Sequence, residues 1–265
     1  AIYRARNSIK VIGQSALNVS ESDYEKRVDV VLRVLYLMFN EGYQSSTGYK
    51  LLDEDITFEA IRLTGWLLDL DLKDNGKIHA LLALMFFNFS RFKARLSEKG
   101  EILDIEEQDR KKWSIELIHK GMYHQRKSRV SEQISKYHIE SGISSVHCSS
   151  ESYEDTNWSQ IIDYYQRLLK IDDSFQIWVN YAIAICEEGE PNKALEILRG
   201  INQKGAYKNS ILFGAFARVH LKLKQIEMAK SYYKVAIDMT NNINERVFYE
   251  TKISKLLLNT DGMSN

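Results

Sequence analysis

The sequence predicts an all-α protein in which a helical domain with one small β-hairpin is followed by an array of helical repeats. Among its 265 residues there is one proline, Pro191, whereas chains built from many short strands need frequent turn residues. Apolar residues make up 44% of the chain and recur mostly at helical spacing. The second half also shows internal repetition, which is typical of stacked helical hairpins.

Composition excludes several classes of protein. Acidic and basic residues balance at 36 each, so the chain as a whole does not have the charge of a nucleic-acid binder. Cys148 and Cys186 are the two cysteines, which is no disulfide framework and predicts a cytoplasmic location. The longest apolar run, around residues 81–89, is too short to cross a membrane. Because Ala1 falls inside a predicted helix, we expect the chain to be a fragment of a longer protein.

Residues 14–130 are predicted to form the helical domain. Ser22 and Glu25 have the spacing of a capping box, and Gly42 is suited to end the helix that follows. The segment 94–105 contains a polar SEKG turn between two partly apolar pieces and is the predicted β-hairpin. The helix from Ile78 is apolar nearly all round, which predicts that it is buried at the centre. The predicted helices cover about 22–42, 56–72, 78–95 and 106–125.

Residues 131–260 are predicted to form a tetratricopeptide-like repeat domain. Ala194 and Ala229 are 35 residues apart, close to the period of that repeat. Small residues at such positions let paired helices approach closely, and large residues fill the remaining space. The positions that match the repeat are Trp178, Tyr181, Ala182, Ile185, Ala194 and Leu198, then Phe213, Phe216, Ala217, His220, Ala229, Tyr233 and Ala236. A weaker copy contains Ile161, Tyr165 and Leu168.

No enzymatic site is predicted. Glu41, the acids at 53–55 and His79 lack the spacing of a metal site, and acids at helix starts explain the 53–55 cluster better. A Gly-rich phosphate loop is missing, and no Ser or Cys nucleophile stands in a motif. We therefore expect no catalytic residue, no metal and no cofactor.

Two segments resemble a known family. The sequences LYLMFNEGYQSSTG (35–48) and ALLALMFFNFSRFKARLSEKGEILDIEEQDRKKW (80–113) resemble bacterial RNA polymerase sigma factors of the extracytoplasmic-function type that carry a C-terminal helical extension. The resemblance covers essentially the whole chain, including DTNW at 155–158. The matching positions are Phe39 to Tyr43, Gly48, Ser90, Arg91, Ala94, Arg95, Gly100, Leu103, Gln108, Asp109, Arg110 and Trp113.

The resemblance assigns residues 1–13 to the end of the recognition helix of sigma region 4. By its pattern alone, this short amphipathic helix has a basic face like that of any solvated helix. The resemblance implies that Arg4, Arg6 and Lys10 lie near promoter phosphates, with Ala1 where the family usually has Arg. In the full-length protein the implied partners are the RNA polymerase core and promoter DNA.

The shared motif residues suggest one polar cluster. Glu41 and Asp109 supply carboxylates, and three arginines supply guanidinium groups that match them. Their expected role is a network that ties the helices to the hairpin, and the alternative is a ligand pocket. The cluster comprises Asn40, Glu41, Tyr43, Arg91, Arg95, Gln108, Asp109, Arg110 and Trp113.

The resemblance implies that the chain regulates a sigma factor in transcription initiation through protein–protein contacts. The repeat domain would bind a protein partner that the sequence does not identify, and no membrane is involved. The alternative is a stand-alone helical-repeat adaptor that binds a peptide or a protein.

Overall fold

The computed structural model describes residues 21–43, 52–70, 72, 74–203 and 209–261. Within these ranges the protein is all-α, as the sequence predicts. The predicted recognition-helix segment 1–13, with Arg4, Arg6 and Lys10, lies outside the described residues. The α-helices are α1 (Glu21–Tyr43), α2 (Glu54–Trp66), α3 (Gly76–Ser90), α4 (Ile115–Ser128), α5 (Lys136–Ser149), α6 (Trp158–Leu168), α7 (Phe175–Glu187), α8 (Pro191–Gln203), α9 (Ser210–Lys222), α10 (Ile226–Met239) and α11 (Ile243–Asp261). Short 3₁₀ helices cover Leu67–Asp69, Phe92–Ala94 and Arg110–Lys112.

Helix α3 is the buried centre of the first half, as its apolar sequence predicts. Ile78, Leu81, Met85 and Phe87 on this helix are fully buried. Helices α1, α2, α4 and α5 all pack against α3. Because α3 has neighbours on all sides, it has no solvent-exposed face that would need polar residues. None of the helices that the structure describes is long and apolar enough to cross a membrane.

The predicted β-hairpin at 94–105 is reduced to one isolated antiparallel bridge between Leu96 and Ile102. The turn itself is present, and Gly100 adopts a positive φ of 78° that favours glycine. No β-strand forms in the described ranges, because a 3₁₀ helix precedes the bridge and another turn follows it. Too few extended residues remain on either side to build a two-stranded ladder.

Helix α4 begins later than predicted. Asp109 caps the 3₁₀ helix Arg110–Lys112 by accepting a 3.0 Å hydrogen bond from the Lys111 N–H. Ser114 then caps α4, which begins at Ile115. Residues 106–113, which were predicted to open the helix, therefore form turns and the 3₁₀ helix that lead into it.

The second half is a succession of helix pairs from α5 to α11. Helix α7 packs on α8, α9 packs on α10, and α11 closes the end against α10. Ala182, Ala194, Ala217 and Ala229 are completely buried, as the repeat spacing predicts. Trp178 and Phe213 are partly buried at the edges of the same clusters.

A buried carboxylate lies where the two halves meet. Glu140 on α5 is enclosed near Tyr36 of α1, and its Oε2 atom has no hydrogen-bond partner within the described structure. Burial raises the pKa of Glu140 to about 7, although Lys136 and the Tyr36 hydroxyl act in the opposite direction. The ionised form is therefore disfavoured in the folded protein.

Replacement of Ala194 by Leu should destabilise the protein by about 1–3 kcal/mol, because the extra atoms must enter a filled helix–helix contact. The measurement is the free energy of unfolding in urea. Glu196→Leu on the exposed side of the same helix is the matched control. Equal stability of the two variants would contradict the assigned interior positions.

Glu140→Gln should remove one part of the pH dependence of stability. With a folded-state pKa of about 7 and an ordinary value of 4.5, Glu140 favours the folded state at low pH. That contribution is lost as the pH rises through the folded-state pKa. Urea unfolding at several pH values should show this decline in the parent chain and a weaker one in the variant. The exposed Glu151→Gln serves as control, and parallel profiles for both variants would refute the assignment.

Candidate functional site

The motif residues converge where α3 ends and the chain enters the 3₁₀ helix Phe92–Ala94. Arg95 is 8% exposed, and its guanidinium carbon lies 3.7 Å from the centroid of the Tyr43 ring. Its Nη1 also donates a hydrogen bond to the Tyr43 carbonyl oxygen. Burial lowers the pKa of Arg95, and the neighbouring Arg91 acts in the same direction. These contacts join the end of α1 to the end of α3.

Two further arginines lie against Trp113. The guanidinium carbon of Arg110 is 4.6 Å from the centroid of the indole, and that of Arg91 is 5.7 Å away. Arg110 Nη1 donates to the carbonyl oxygens of His147 at 2.5 Å and Ser150 at 2.8 Å. These carbonyls belong to the C-terminal end of α5, where helix geometry leaves acceptors unpaired. Arg110 therefore caps α5.

Asp109 does not form the predicted arginine–carboxylate pair. Asp109 is an N-cap, and within the described residues no ion pair joins it to Arg91, Arg95 or Arg110. Gln108 donates through Nε2 to the Leu103 carbonyl oxygen at 3.2 Å. Main-chain carbonyls at helix ends accept hydrogen bonds from Arg95 and Arg110, whereas Arg91 bonds to the Asn88 side chain. The residue types alone do not show whether an arginine will bind a carboxylate or a main-chain carbonyl.

Successive residues at the C-terminal end of α1 differ in solvent exposure. Asn40 is exposed, Glu41 is half-buried, and Gly42 is buried. A Cβ atom at Gly42 would lie 2.7 Å from the Thr57 backbone nitrogen. Gly42 is therefore required for the close approach of α1 to α2. It does not end the helix as predicted, because α1 continues to Tyr43 and Gly42 does not adopt a positive φ.

Part of the cluster lines a cleft, and a pocket at these residues was the alternative that the sequence left open. Tyr43, Arg91, Arg95 and Gln108 face α9 and α11 across a space of about 310 Å³. The opposite wall is formed by Ile211, Asn242, Asn244, Glu245, Phe248 and Tyr249. The remaining lining comes from Ile102, Leu103, Asp104 and Ile105. We call this space the interface cleft.

An acidic loop, residues 104–107, contacts the repeat half beside this cleft. Arg218 on α9 lies 2.9 Å from a Glu106 oxygen and 3.6 Å from an Asp104 oxygen. It also lies 2.7 Å from Glu187, whose side chain is 1% exposed. Its Nη2 donates to the Tyr153 hydroxyl oxygen at 2.8 Å. One arginine thus joins the loop, the segment before α6, and the C-terminal end of α7.

Helix α11 contacts the same loop through two lysines. Lys252 lies 2.6 Å from Asp104 and 3.0 Å from Glu107, and Lys255 lies 2.7 Å from Glu107. Burial acts to raise the pKa of Glu107, but the two lysines hold it below its ordinary value. The loop is thereby fixed between α9 and α11.

The charges around Glu187 are mutually dependent. Burial acts to raise the pKa of Glu187, but Arg218 and Lys222 hold it below its ordinary value. Burial would likewise lower the pKa of Arg218, yet Tyr153, Glu187 and the loop acids raise it. No sequence motif indicates the role of Glu187, Arg218 or Lys222. The acidic run DIEE inside the motif was the signal, but its partners are more than 80 positions away in the sequence.

A pair of histidines is the nearest approach to a metal site. His79 Nδ1 and His124 Nδ1 are 2.8 Å apart, a hydrogen-bonding distance in which one ring donates. No group of three or more His, Cys, Asp or Glu residues suitable for a metal ion occurs among the described residues. Burial lowers the pKa of both histidines. The pair therefore joins α3 to α4 as neutral rings.

Comparison with known proteins gives two matches. Residues 27–129 match DUF6596, a family of unknown function, over a range that runs from α1 to the end of α4. The chain is also similar to a protein of Rhizobium meliloti (strain 1021) named "Uncharacterized protein R00370", with 28% identity over 261 residues. That alignment covers 96% of this chain and 60% of the relative. The chain therefore spans about 60% of the length of the relative it matches.

Arg218→Met should lower the free energy of unfolding by about 1.5–3 kcal/mol, because it removes one of the two cations paired with the buried Glu187 and leaves only Lys222. Arg199→Met, at an exposed position on α8, is the matched control. Chemical denaturation of both variants tests the difference. If Arg218→Met is no less stable than Arg199→Met, the ion-pair cluster does not hold the two halves together.

Proposed function

We propose that this chain is the C-terminal regulatory extension of a bacterial sigma factor of the extracytoplasmic-function type. The proposal is carried by the ordered motif residues of segments 35–48 and 80–113, which resemble that family. The structure is compatible with it, since Tyr43, Arg91, Arg95 and Gln108 come together around one cleft. The complete protein would direct RNA polymerase to particular promoters in the cytoplasm.

In this proposal the regions that bind the polymerase core and open the promoter precede residue 1. Residues 1–13 complete the recognition helix, and Arg4, Arg6 and Lys10 bind promoter phosphates. Phosphate contacts of this kind position a helix on the duplex without reading bases. The extension itself acts through protein contacts and catalyses no reaction.

The helix pairs from α5 to α11 form the tetratricopeptide-like part of the proposal. Stacked pairs of this kind present an extended surface to a partner. A groove of about 1120 Å³ lies between α4, α5 and α6, lined mostly by polar residues such as Gln125, Ser145, Asn157 and Arg167. This groove is the proposed protein-binding surface. It also supports the second candidate function, a stand-alone adaptor that binds a peptide.

The ion pairs at the acidic loop suggest how the extension would act. Arg218 and Lys252 join the motif half to the repeat half through the same loop. A partner that bound to the repeats and shifted them would therefore also shift the motif half. The sigma regions joined to the motif half would then be masked or released.

The proposal predicts that this chain alone binds duplex DNA weakly. Its net charge is zero and one short segment carries the proposed phosphate contacts, so few counterions can be released on binding. The full-length protein should bind promoter DNA and support transcription by the polymerase core. Replacing Arg4 and Arg6 by Ala should weaken that binding and reduce the salt dependence by about one unit per lost contact.

Arg199→Ala, a charge-removing change in the repeat half, is the matched control and should leave promoter binding intact. Reading the gene upstream of residue 1 separates the two candidate functions directly. A reading frame that starts near residue 1, together with no association with the polymerase core in a pull-down assay, would reject the sigma-factor proposal and favour the adaptor.

A further inference from the structure

The interface cleft has the size and walls of a small-molecule site. Its volume of about 310 Å³ is at the lower end of the range for ligand pockets. Tyr43 and Phe248 supply aromatic surface on opposite sides, and Ile102 and Ile211 add aliphatic surface. Polar groups reach it from both the motif half and α11. A compound bound there would contact both halves of the protein.

Two residues that line this cleft each contain a buried polar atom without a hydrogen-bond partner in the described structure. These atoms are Gln108 Oε1, an acceptor, and Asn244 Nδ2, a donor. Gln108 is 9% exposed, so solvent reaches it little. Folded proteins rarely leave such groups unpaired, because each lost hydrogen bond destabilises the fold. A ligand that offers both a donor and an acceptor would satisfy them.

The arginines of the cleft have no compensating carboxylate in the described part of the chain. Arg95 bonds to the Tyr43 carbonyl through Nη1 alone, and Arg91 bonds to Asn88 Oδ1 at 2.6 Å. The two guanidinium groups repel each other, since each lies in the field of the other. Binding of an anion would remove this repulsion and use donors that the protein does not occupy.

The carboxylates that border the cleft are already engaged. Asp104 is paired with Lys252 at 2.6 Å. Glu245 Oε2 accepts hydrogen bonds of 2.7 Å each from the Ser210 and Thr240 hydroxyls. The acids therefore belong to the walls, whereas the arginines remain available to a ligand.

We propose that the interface cleft binds a small organic anion, with its carboxylate or phosphate group held by Arg91 and Arg95 and its hydroxyl or amino group bonded to Gln108. Asn244 donates to a further oxygen of the same molecule. This site lies beyond the proposed function and does not depend on it, because an adaptor with the same cleft would bind the same class of compound. Occupancy would stabilise the contact between the motif half and α11.

The experiment measures thermal unfolding and calorimetric binding with inorganic phosphate, glucose 6-phosphate and L-glutamate, each against chloride at equal ionic strength. Glucose is the uncharged control. Glucose 6-phosphate and glutamate separate a phosphate from a carboxylate ligand. The chain should be stabilised in a saturable way by at least one of the two organic anions, more strongly than by inorganic phosphate, and not by glucose.

Two variants locate the binding. Asn244→Asp keeps the side-chain size, adds a negative charge to the cleft, and places an acid in the first turn of α11, where acids favour the helix. It should weaken binding about tenfold or more, because a donor becomes a repelling acceptor. Asn241→Asp, an exposed position just before the helix, is its matched control. Arg95→Gln should weaken binding similarly, with exposed Lys93→Gln as its control.

The site is supported if both cleft variants lose binding while both controls keep it. If Arg95→Gln does not fold, the comparison of Asn244→Asp with Asn241→Asp decides. Equal affinity in those two variants would place the anion elsewhere and overturn the proposal. Absence of saturable stabilisation by all three anions would overturn it as well.

Discussion

The ion pairs of Arg218 are the interactions on which the arrangement of the two halves depends. Arg218 pairs with Glu187 inside the repeat half and with Asp104 and Glu106 of the acidic loop. Glu187 is almost completely buried, and removing a carboxylate from water is costly unless a cation and further hydrogen bonds replace the solvent. Arg218 supplies the cation and at the same time reaches Glu106 and Tyr153. Because one guanidinium serves several partners, the acidic loop, α7 and α9 must take up their positions together.

Two arginines of the motif have a structural role, which is to bind main-chain carbonyls at the ends of helices. Arg110 binds the carbonyls at the end of α5, and Arg95 binds the Tyr43 carbonyl. Each arginine therefore holds a helix end that would otherwise leave acceptors unpaired. These bonds place α1, α3 and α5 relative to one another. They also leave Arg91 and part of Arg95 directed at the interface cleft.

The cleft and the ion-pair cluster share a wall. Asp104 lines the cleft and is also paired with Lys252 of α11. Any change in the cleft therefore acts on the same loop that Arg218 holds. If the two proposals hold, this shared loop would connect a bound small anion, a protein partner on the repeats, and the motif half.

The sequence by itself determined the helical class, the buried centre α3, and the interior alanines from Ala182 to Ala229. These features follow from local periodicity and from the spacing of small residues, which a single chain displays directly. The β-hairpin predicted at 94–105 is only an isolated bridge in the structure. Tertiary packing decides where the flanking turns and the 3₁₀ helix form, and local sequence does not show it. The partners of Arg110, the ion pairs of Arg218, and the opposite wall of the cleft were decided by the tertiary structure alone. These contacts join residues that are far apart in the sequence. The sequence does not distinguish the carboxylate or carbonyl that will be the partner from the others in the chain.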